Sequence, residues 1–229
     1  LKEARQACQA GDYQRAIAIL KAYVVKKPKS FDGYTLLGIC HLHLGQNDEA
    51  ITALEKATQL VPKNELAQFE LGQTYLAAQK YEGAIKQYRW LEKNDKQMAD
   101  EFRLCIPEDI AQQNQLPLSL LYQDQFDLES AKPVFAEKDR PDLKPTILHR
   151  ERPKYSNEAL KYHIQGKVVL SVVYNKTGKL LILSVTKGLP GGLTLASIEA
   201  ARKIRFTPAL KDGQPVSIRG TIEFGYALY

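Results

Sequence analysis

Apolar and polar positions alternate with two different periods along this chain, and the change of period divides it. In the C-terminal third the apolar positions step by two. Val216, Ile218, Ile222, Phe224 and Tyr226 alternate with Ser217, Arg219, Thr221 and Glu223. That pattern predicts a long last strand over 216–226 with one buried and one wet face. The β-branched runs 167–174 (KVVLSVVY) and 180–186 (LLILSVT) predict two more strands. Asn175-Lys176-Thr177-Gly178 between them is a turn sequence, so the pair forms an antiparallel hairpin. Leu195, Ile198, Ala201 and Ile204 fall at helical spacing behind Thr194, which predicts a helix capped by that threonine. A short helix opens at Ser156 or Asn157. Gly188-Leu189-Pro190-Gly191-Gly192 breaks the sheet, and Asp212-Gly213 turns the chain into the last strand.

The N-terminal half has the helical period and repeats itself. Ala16, Ala50 and Ala84 are equally spaced, as are Leu20, Leu54 and Tyr88. Gly11 and Gly45 share the spacing, as do Pro28 and Pro62, Leu37 and Leu71, and Gly38 and Gly72. A 34-residue period with Leu-Gly in the first helix, Ala in the second and Pro at the end resembles the tetratricopeptide repeat (TPR). Residues 31–64 are the cleanest copy, 1–30 a first copy lacking its start, and 65–95 a third with Lys96 where the Pro would fall. Gly38 and Ala50 are small where the two helices of one repeat touch. A stack needs a cap, and residues 96–106 are expected to supply it, with Met98, Phe102, Cys105 and Ile106 on one helical face ahead of Pro107.

The C-terminal unit resembles the C-terminal domain of TonB-type energy transducers. Arg152-Pro153-Lys154-Tyr155, Gln165-Gly166-Lys167-Val168-Val169-Leu170 and Asn175-Lys176-Thr177-Gly178 carry the likeness. So do Gly188-Leu189-Pro190-Gly191-Gly192-Leu193-Thr194, the run from Glu199 to Ala209, and Lys211-Asp212-Gly213-Gln214-Pro215-Val216. The departures are Ser156, where the family more often has Pro, and Gly225 near the strand end. The resemblance implies a three-stranded sheet with the last strand on an edge. It also implies that this edge binds a short extended segment of an outer-membrane transporter.

The expected fold is therefore two domains. An all-α TPR solenoid of about three helix pairs plus cap spans 1–106. A small α+β domain, a three-stranded antiparallel sheet packed on two helices, spans 152–229. Between them, 107–151 is expected to be an extended connector. Its stretch 129–152 holds Pro133, Pro141 and Pro145 among charges, a composition that would reach roughly 70 Å as a semi-stiff spacer. The apolar patch 116–122 is expected to pack back on the repeats. Leu1 falls inside a repeat, so a signal peptide or membrane anchor upstream is compatible with the sequence.

Composition narrows the function. The hydrophobic share of 44% is ordinary and indicates neither disorder nor a membrane barrel. No apolar run is long enough for a transmembrane helix. From Arg150 onward the chain carries 13 Lys and Arg against 5 Asp and Glu, net +8, while the remainder is net −2, which together make the +6 formal charge. That excess favours acidic partners or anionic surfaces, or is a solvated face. Without interleaved exposed aromatics, nucleic acid is not the expected partner.

Chemistry is sparse. His41 and His43 are two apart on a helix and do not face one way. His149 sits in the connector and His163 near a helix end, each without a nucleophile or carboxylate at diagnostic spacing. The Gly188 loop lacks the GK[ST] ending and the GxGxxG order of phosphate loops. Cys8, Cys40 and Cys105 are too scattered for a disulfide framework or zinc site, so all three are expected as buried thiols on apolar helix faces. No enzyme, catalytic residue, metal or cofactor is expected.

The reading is a non-enzymatic protein-interaction module of the periplasm or cell envelope. Val216, Ser217, Ile218, Arg219, Gly220, Thr221, Ile222, Glu223 and Phe224 are the expected partner-binding edge. On it Ser217, Arg219, Thr221 and Glu223 point outward to tune choice of partner. Thr35, Ile39, Phe69, Gln73 and Leu76 are the expected wall of a TPR groove for a second protein. The alternatives are an envelope scaffold without energy transduction and a homodimer self-paired through the edge strand.

Overall fold

The computed structural model describes residues 1–117, 119–136, 141–142, 144–161 and 164–227. His163, Leu118 of the apolar patch and the chain end at Leu228 and Tyr229 lie outside the described residues. Contacts divide the chain into two compact units, Leu1–Ala99 and Asp100–Tyr229.

The first unit is a right-order series of helix pairs: α1 (Lys2–Gln9), α2 (Tyr13–Lys26), α3 (Phe31–His43), α4 (Asn47–Leu60), α5 (Glu65–Ala77) and α6 (Tyr81–Asn94). Each packs on the next. The repeat is legible in the caps. Asp12, Ser30 and Asn64 accept the backbone N–H of Arg15, Gly33 and Ala67, which satisfies one orphan donor at each helix start. Within a pair the turn needs a left-handed residue. Gly11 (φ 78°) and Gly45 (φ 71°) supply it twice, and Gln79 (φ 56°) takes the corresponding place in the third pair. Gly38 has the role that its size implied: a Cβ there would stand 2.6 Å from Leu54 Cγ and 3.2 Å from the Ala50 carbonyl oxygen. Ala16, Leu20, Ala50, Leu54 and Ala84 have no exposed surface.

Two cysteines correct the reading of the sequence. Cys8 and Cys40 form a disulfide between α1 and α3 rather than standing as separate thiols. The repeat spacing places these two helices side by side, so residues near one period apart meet.

A seventh helix, α7 (Lys96–Arg103), starts on an Asp95 cap that accepts the Met98 N–H at 3.0 Å. The division between the units falls inside it. Phe102, Cys105 and Ile106, expected to cap the repeats, lie in the second unit. There the fully buried Glu101 accepts the backbone N–H of Gly192 at 2.5 Å, an anion at the start of a helix.

The second unit continues with α8 (Glu108–Gln113), α9 (Tyr122–Ala131), β1 (Val134–Phe135), β2 (Thr146–His149) and α10 (Asn157–Lys161). Then come β3 (Gly166–Tyr174), β4 (Leu180–Lys187), α11 (Leu193–Arg202), β5 (Arg205–Thr207), β6 (Ala209–Lys211) and β7 (Gln214–Tyr226). The main sheet runs β1-β7-β3-β4, with β6 also on β7. The β1–β7 pairing is parallel and the others antiparallel. The expected three-stranded antiparallel sheet is thus a mixed sheet of four to five strands. The additions, β1 and β6, are two and three residues long, too short to leave a periodic signal. A separate two-stranded sheet joins β2 to β5.

The connector is not a free spacer. Leu128, Ala131 and Val134 pack on Val173, Leu181 and Leu183, so α9 covers a face of the sheet that alternation alone left wet. Asp124 pairs with Arg202 at 2.9 Å, and Lys176 Nζ donates to the Lys132 carbonyl at 3.0 Å. The buried Arg103 guanidinium donates to the Pro117 and Ile106 carbonyls and pairs with Glu108 at 2.7 Å. Each of its three nitrogens has an acceptor, as a buried cation requires. Thr194 is not the cap of α11. Gly192 (φ 82°) holds that place, while the Thr194 hydroxyl donates to the Leu189 carbonyl and accepts its N–H.

Candidate functional site

The site follows from how β7 is held. Asp212 (φ 52°) and Gly213 (φ 72°) make a tight turn that sends the chain from β6 into β7, pairing Ala209 with Val216. From there β7 runs antiparallel to β3, with Ile218 opposite Tyr174 and Tyr226 opposite Gly166. Ile218, Ile222, Phe224 and Tyr226 are buried, while Arg219, Thr221, Glu223 and Gly225 are exposed. Gly220 falls on the buried side. The Tyr174 ring lies 3.1 Å from where its Cβ would be, and that ring meets Phe206 edge-on at 5.0 Å. The far end is anchored by Tyr226, whose hydroxyl bonds Ser197 at 2.8 Å and the Leu193 carbonyl at 3.0 Å. Burial pushes this phenol up, partly offset by the Ser197 bond. On the wet face Glu223 pairs with Lys167 at 2.8 Å. The pairing holds the carboxyl below its ordinary range and raises the ammonium, though both are solvent-exposed.

The side of β7 away from β3 is unevenly filled. β1 takes Ser217 and Ile218 there, while β6 pairs with 214–216, beyond the end of the β3 ladder. Arg150 then reaches across: its guanidinium donates to the Glu223 carbonyl and lies 4.6 Å from the centre of the Phe224 ring. Of the nine edge residues expected from sequence, Ile218 is therefore already paired on both sides, by β3 and β1, while Val216 and Ser217 each have one strand partner, β6 and β1. Ser217 is not an outward, tuning side chain. It has no exposed surface, and its hydroxyl accepts the Lys176 N–H at 3.0 Å. Arg219, Gly220, Thr221, Ile222, Glu223 and Phe224 have, among the described residues, no strand on that side. Sequence reasoning missed Arg150 and Lys167. Only the basic excess after Arg150 hinted at cations around this strand.

In the repeats, Thr35, Ile39, Gln73 and Leu76 are partly buried, whereas Phe69 has no exposed surface and is not available as a groove wall. The Thr35 hydroxyl donates to the Phe31 carbonyl at 3.0 Å, within its own helix. Both N-terminal histidines have structural neighbours. His41 Nδ1 is 2.6 Å from Gln46 Oε1, and the His43 ring stacks on Tyr13 at 4.4 Å. Among the described residues no three His, Cys, Asp or Glu side chains gather as a metal site. No described helix is long and apolar enough to cross a membrane.

Known families match separate parts of the chain. Residues 151–228 match the family described as Gram-negative bacterial TonB protein C-terminal. Two tetratricopeptide-repeat models match residues 1–65 and 45–100. Peroxisome biogenesis protein 5 of Arabidopsis thaliana is 29% identical over 97 residues, which is 42% of this chain. The match spans only 13% of that relative's length. Among solved structures, MamA is similar at 24% identity and a TM-score of 0.46, over 51% of this chain and 67% of MamA. The type III secretion translocator chaperone SycD of Yersinia enterocolitica is similar at 21% identity and a TM-score of 0.38, over 47% and 68%.

Proposed function

The chain carries tetratricopeptide repeats over residues 1–100 followed by a TonB C-terminal domain at 151–228, and from that premise we propose that it is a two-handed protein-interaction module of the cell envelope. The C-terminal hand captures an extended segment of an outer-membrane transporter by adding it as a strand beside β7. The repeats dock a second protein. Together they couple an envelope process to transport.

The observation that carries this reading is the stretch from Arg219 to Phe224. It is laddered to β3 on one side and has no strand on the other among the described residues. Its exposed side chains alternate cation, hydroxyl and carboxylate. Such a stretch offers main-chain groups for affinity and alternate side chains for choice of partner. About five new backbone bonds at roughly 1 kcal/mol each give a modest gross gain. Ordering the partner returns several kcal/mol of it. The outcome is a contact that can be made and broken. The Cys8–Cys40 disulfide supports an oxidising compartment such as the periplasm.

The test is an NMR titration of the full chain with synthetic peptides from the N-termini of outer-membrane transporters. Shifts concentrated from Arg219 to Phe224 support strand capture. Shifts confined to α3 and α5 place the partner in the repeats instead. A concentration-dependent dimer whose contacts centre on β7 replaces capture with self-pairing.

A further inference from the structure

The docking edge of β7 is partly occupied by the chain itself, and the occupant has the form of a ligand. Val134 and Phe135 pair parallel to β7, opposite Ser217 and Ile218. They are a two-residue strand beside a strand of thirteen residues. Lys211 Nζ lies 4.7 Å from the centre of the Phe135 ring, a cation over an aromatic face. Farther along the same strand Arg150 donates to the Glu223 carbonyl and covers the Phe224 ring. That carbonyl is one of the acceptors an added strand would use.

The Phe135 and Arg150 contacts are separable from what holds the connector in place, whereas the Val134 side chain also packs with Val173, Leu181 and Leu183. The helix α9 is fixed by its own packing on Val173, Leu181 and Leu183 and by the Asp124–Arg202 pair. The Lys132 carbonyl is held by Lys176. Neither fixation uses the outer groups of β7. The segment is thus tethered beside the edge and laid on it through few backbone contacts. Tethering gives a high effective concentration without strong contacts. A bare edge is a site for unwanted pairing, which a weak tethered cover suppresses while remaining displaceable.

We propose that Val134–Phe135 and Arg150 form an intramolecular cover on the β7 docking edge, which an incoming extended segment displaces. This rests on the strand-capture reading above and adds regulation to it: capture is a strand exchange, in which the partner competes with the protein's own connector.

The experiment uses the full chain in three forms: wild type, a released form (Phe135→Ser and Arg150→Ala), and a locked form with a disulfide from Val134→Cys and Ser217→Cys. In-register neighbours on paired strands are close enough for such a bond. Amide exchange is read first, because it needs no partner. In the released form protection at 217–219 falls by about tenfold or more, while the β3–β4 hairpin keeps its own. Unchanged protection at 217–219 overturns the cover. Titration with the transporter peptides is read second. The released form binds about tenfold more tightly than wild type, and the oxidised locked form loses shifts at 217–219. Equal affinity in all three overturns the cover and leaves capture standing. Exchange that opens as expected with no peptide bound by any form overturns capture and leaves the cover standing. The locked form guards the test: if the released form loses β3–β4 protection, the difference between oxidised and reduced locked protein, each compared with wild type treated alike because reduction also opens Cys8–Cys40, decides.

Discussion

Cys8 is bonded to Cys40, and the bond ties the first helix of one repeat to the first helix of the next across a sequence separation of 32 residues. Closing a loop of that length removes unfolded-chain entropy worth about 3–4 kcal/mol. α1 is only eight residues long, so this staple holds a helix with little surface of its own to bury. Reduction, or Cys8→Ser with Cys40→Ser, is expected to lower the unfolding midpoint of the repeat unit by on the order of 10 °C. Thermal unfolding followed by circular dichroism with and without reductant measures it. Coincident melts would show that packing alone secures α1.

Gly38→Ala is expected to destabilise the repeats although alanine is the better helix former. The added methyl would meet Leu54 Cγ at 2.6 Å, and overpacking of that kind costs about 1–3 kcal/mol. The propensity gain offsets at most about 1 kcal/mol. Urea unfolding should show a lower midpoint with an unchanged slope. A higher midpoint would mean α3 and α4 can part without cost.

Much of the fold was legible because period and turn chemistry agree. Ala16, Ala50 and Ala84 fixed the repeat, and Asn175 to Gly178 with the flanking β-branched runs fixed the β3–β4 hairpin. The long alternation fixed β7. What stayed hidden was tertiary. Val134 and Phe135 follow Pro133 in a charged stretch, and nothing local marks two residues as a strand; their partner is supplied by Ser217 and Ile218 far along the chain. The disulfide was missed because the cysteines were counted, not placed. One repeat beyond Cys8 lies Leu42, two residues from Cys40, and that near-coincidence on stacked helices was the available signal. Alternation alone reads all of β7 as open edge, whereas β1 and β6 pair with part of it and Ser217, expected outward, is buried.

The second unit carries a pH signature at Cys105. Burial, with the nearby Glu101 charge adding to it, pushes this thiol from 9.0 up to about 12. The folded chain therefore keeps the neutral thiol while the unfolded chain ionises. A raised acid pKa contributes stability that is intact below the unfolded value and is lost as pH rises toward the folded one. Stability should fall between about pH 9 and pH 12 more steeply in wild type than in Cys105→Ala. Urea midpoints of both proteins at pH 8, 9 and 10 give the comparison, and parallel curves would remove Cys105 from the account. The same shift predicts slow alkylation of native Cys105 by iodoacetamide at pH 8, because the thiolate is the reactive form.

Thr221→Pro separates the edge from the ladder. The Glu223 carbonyl is bonded by Arg150 on the side away from β3, and backbone groups two residues apart in a strand point the same way. The Thr221 N–H therefore faces the open side, and its loss leaves the β3 pairing of Leu170 with Ile222 and Val172 with Gly220 in place. Proline removes that one donor and its ring projects toward any added strand. The expected result is at least a tenfold weaker capture of transporter peptides, equivalent to about 1.4 kcal/mol, with the melting midpoint of the second unit moved only slightly. Isothermal titration against the peptides and a thermal melt on the same sample measure both. Binding that survives unaltered would mean the partner does not add beside β7.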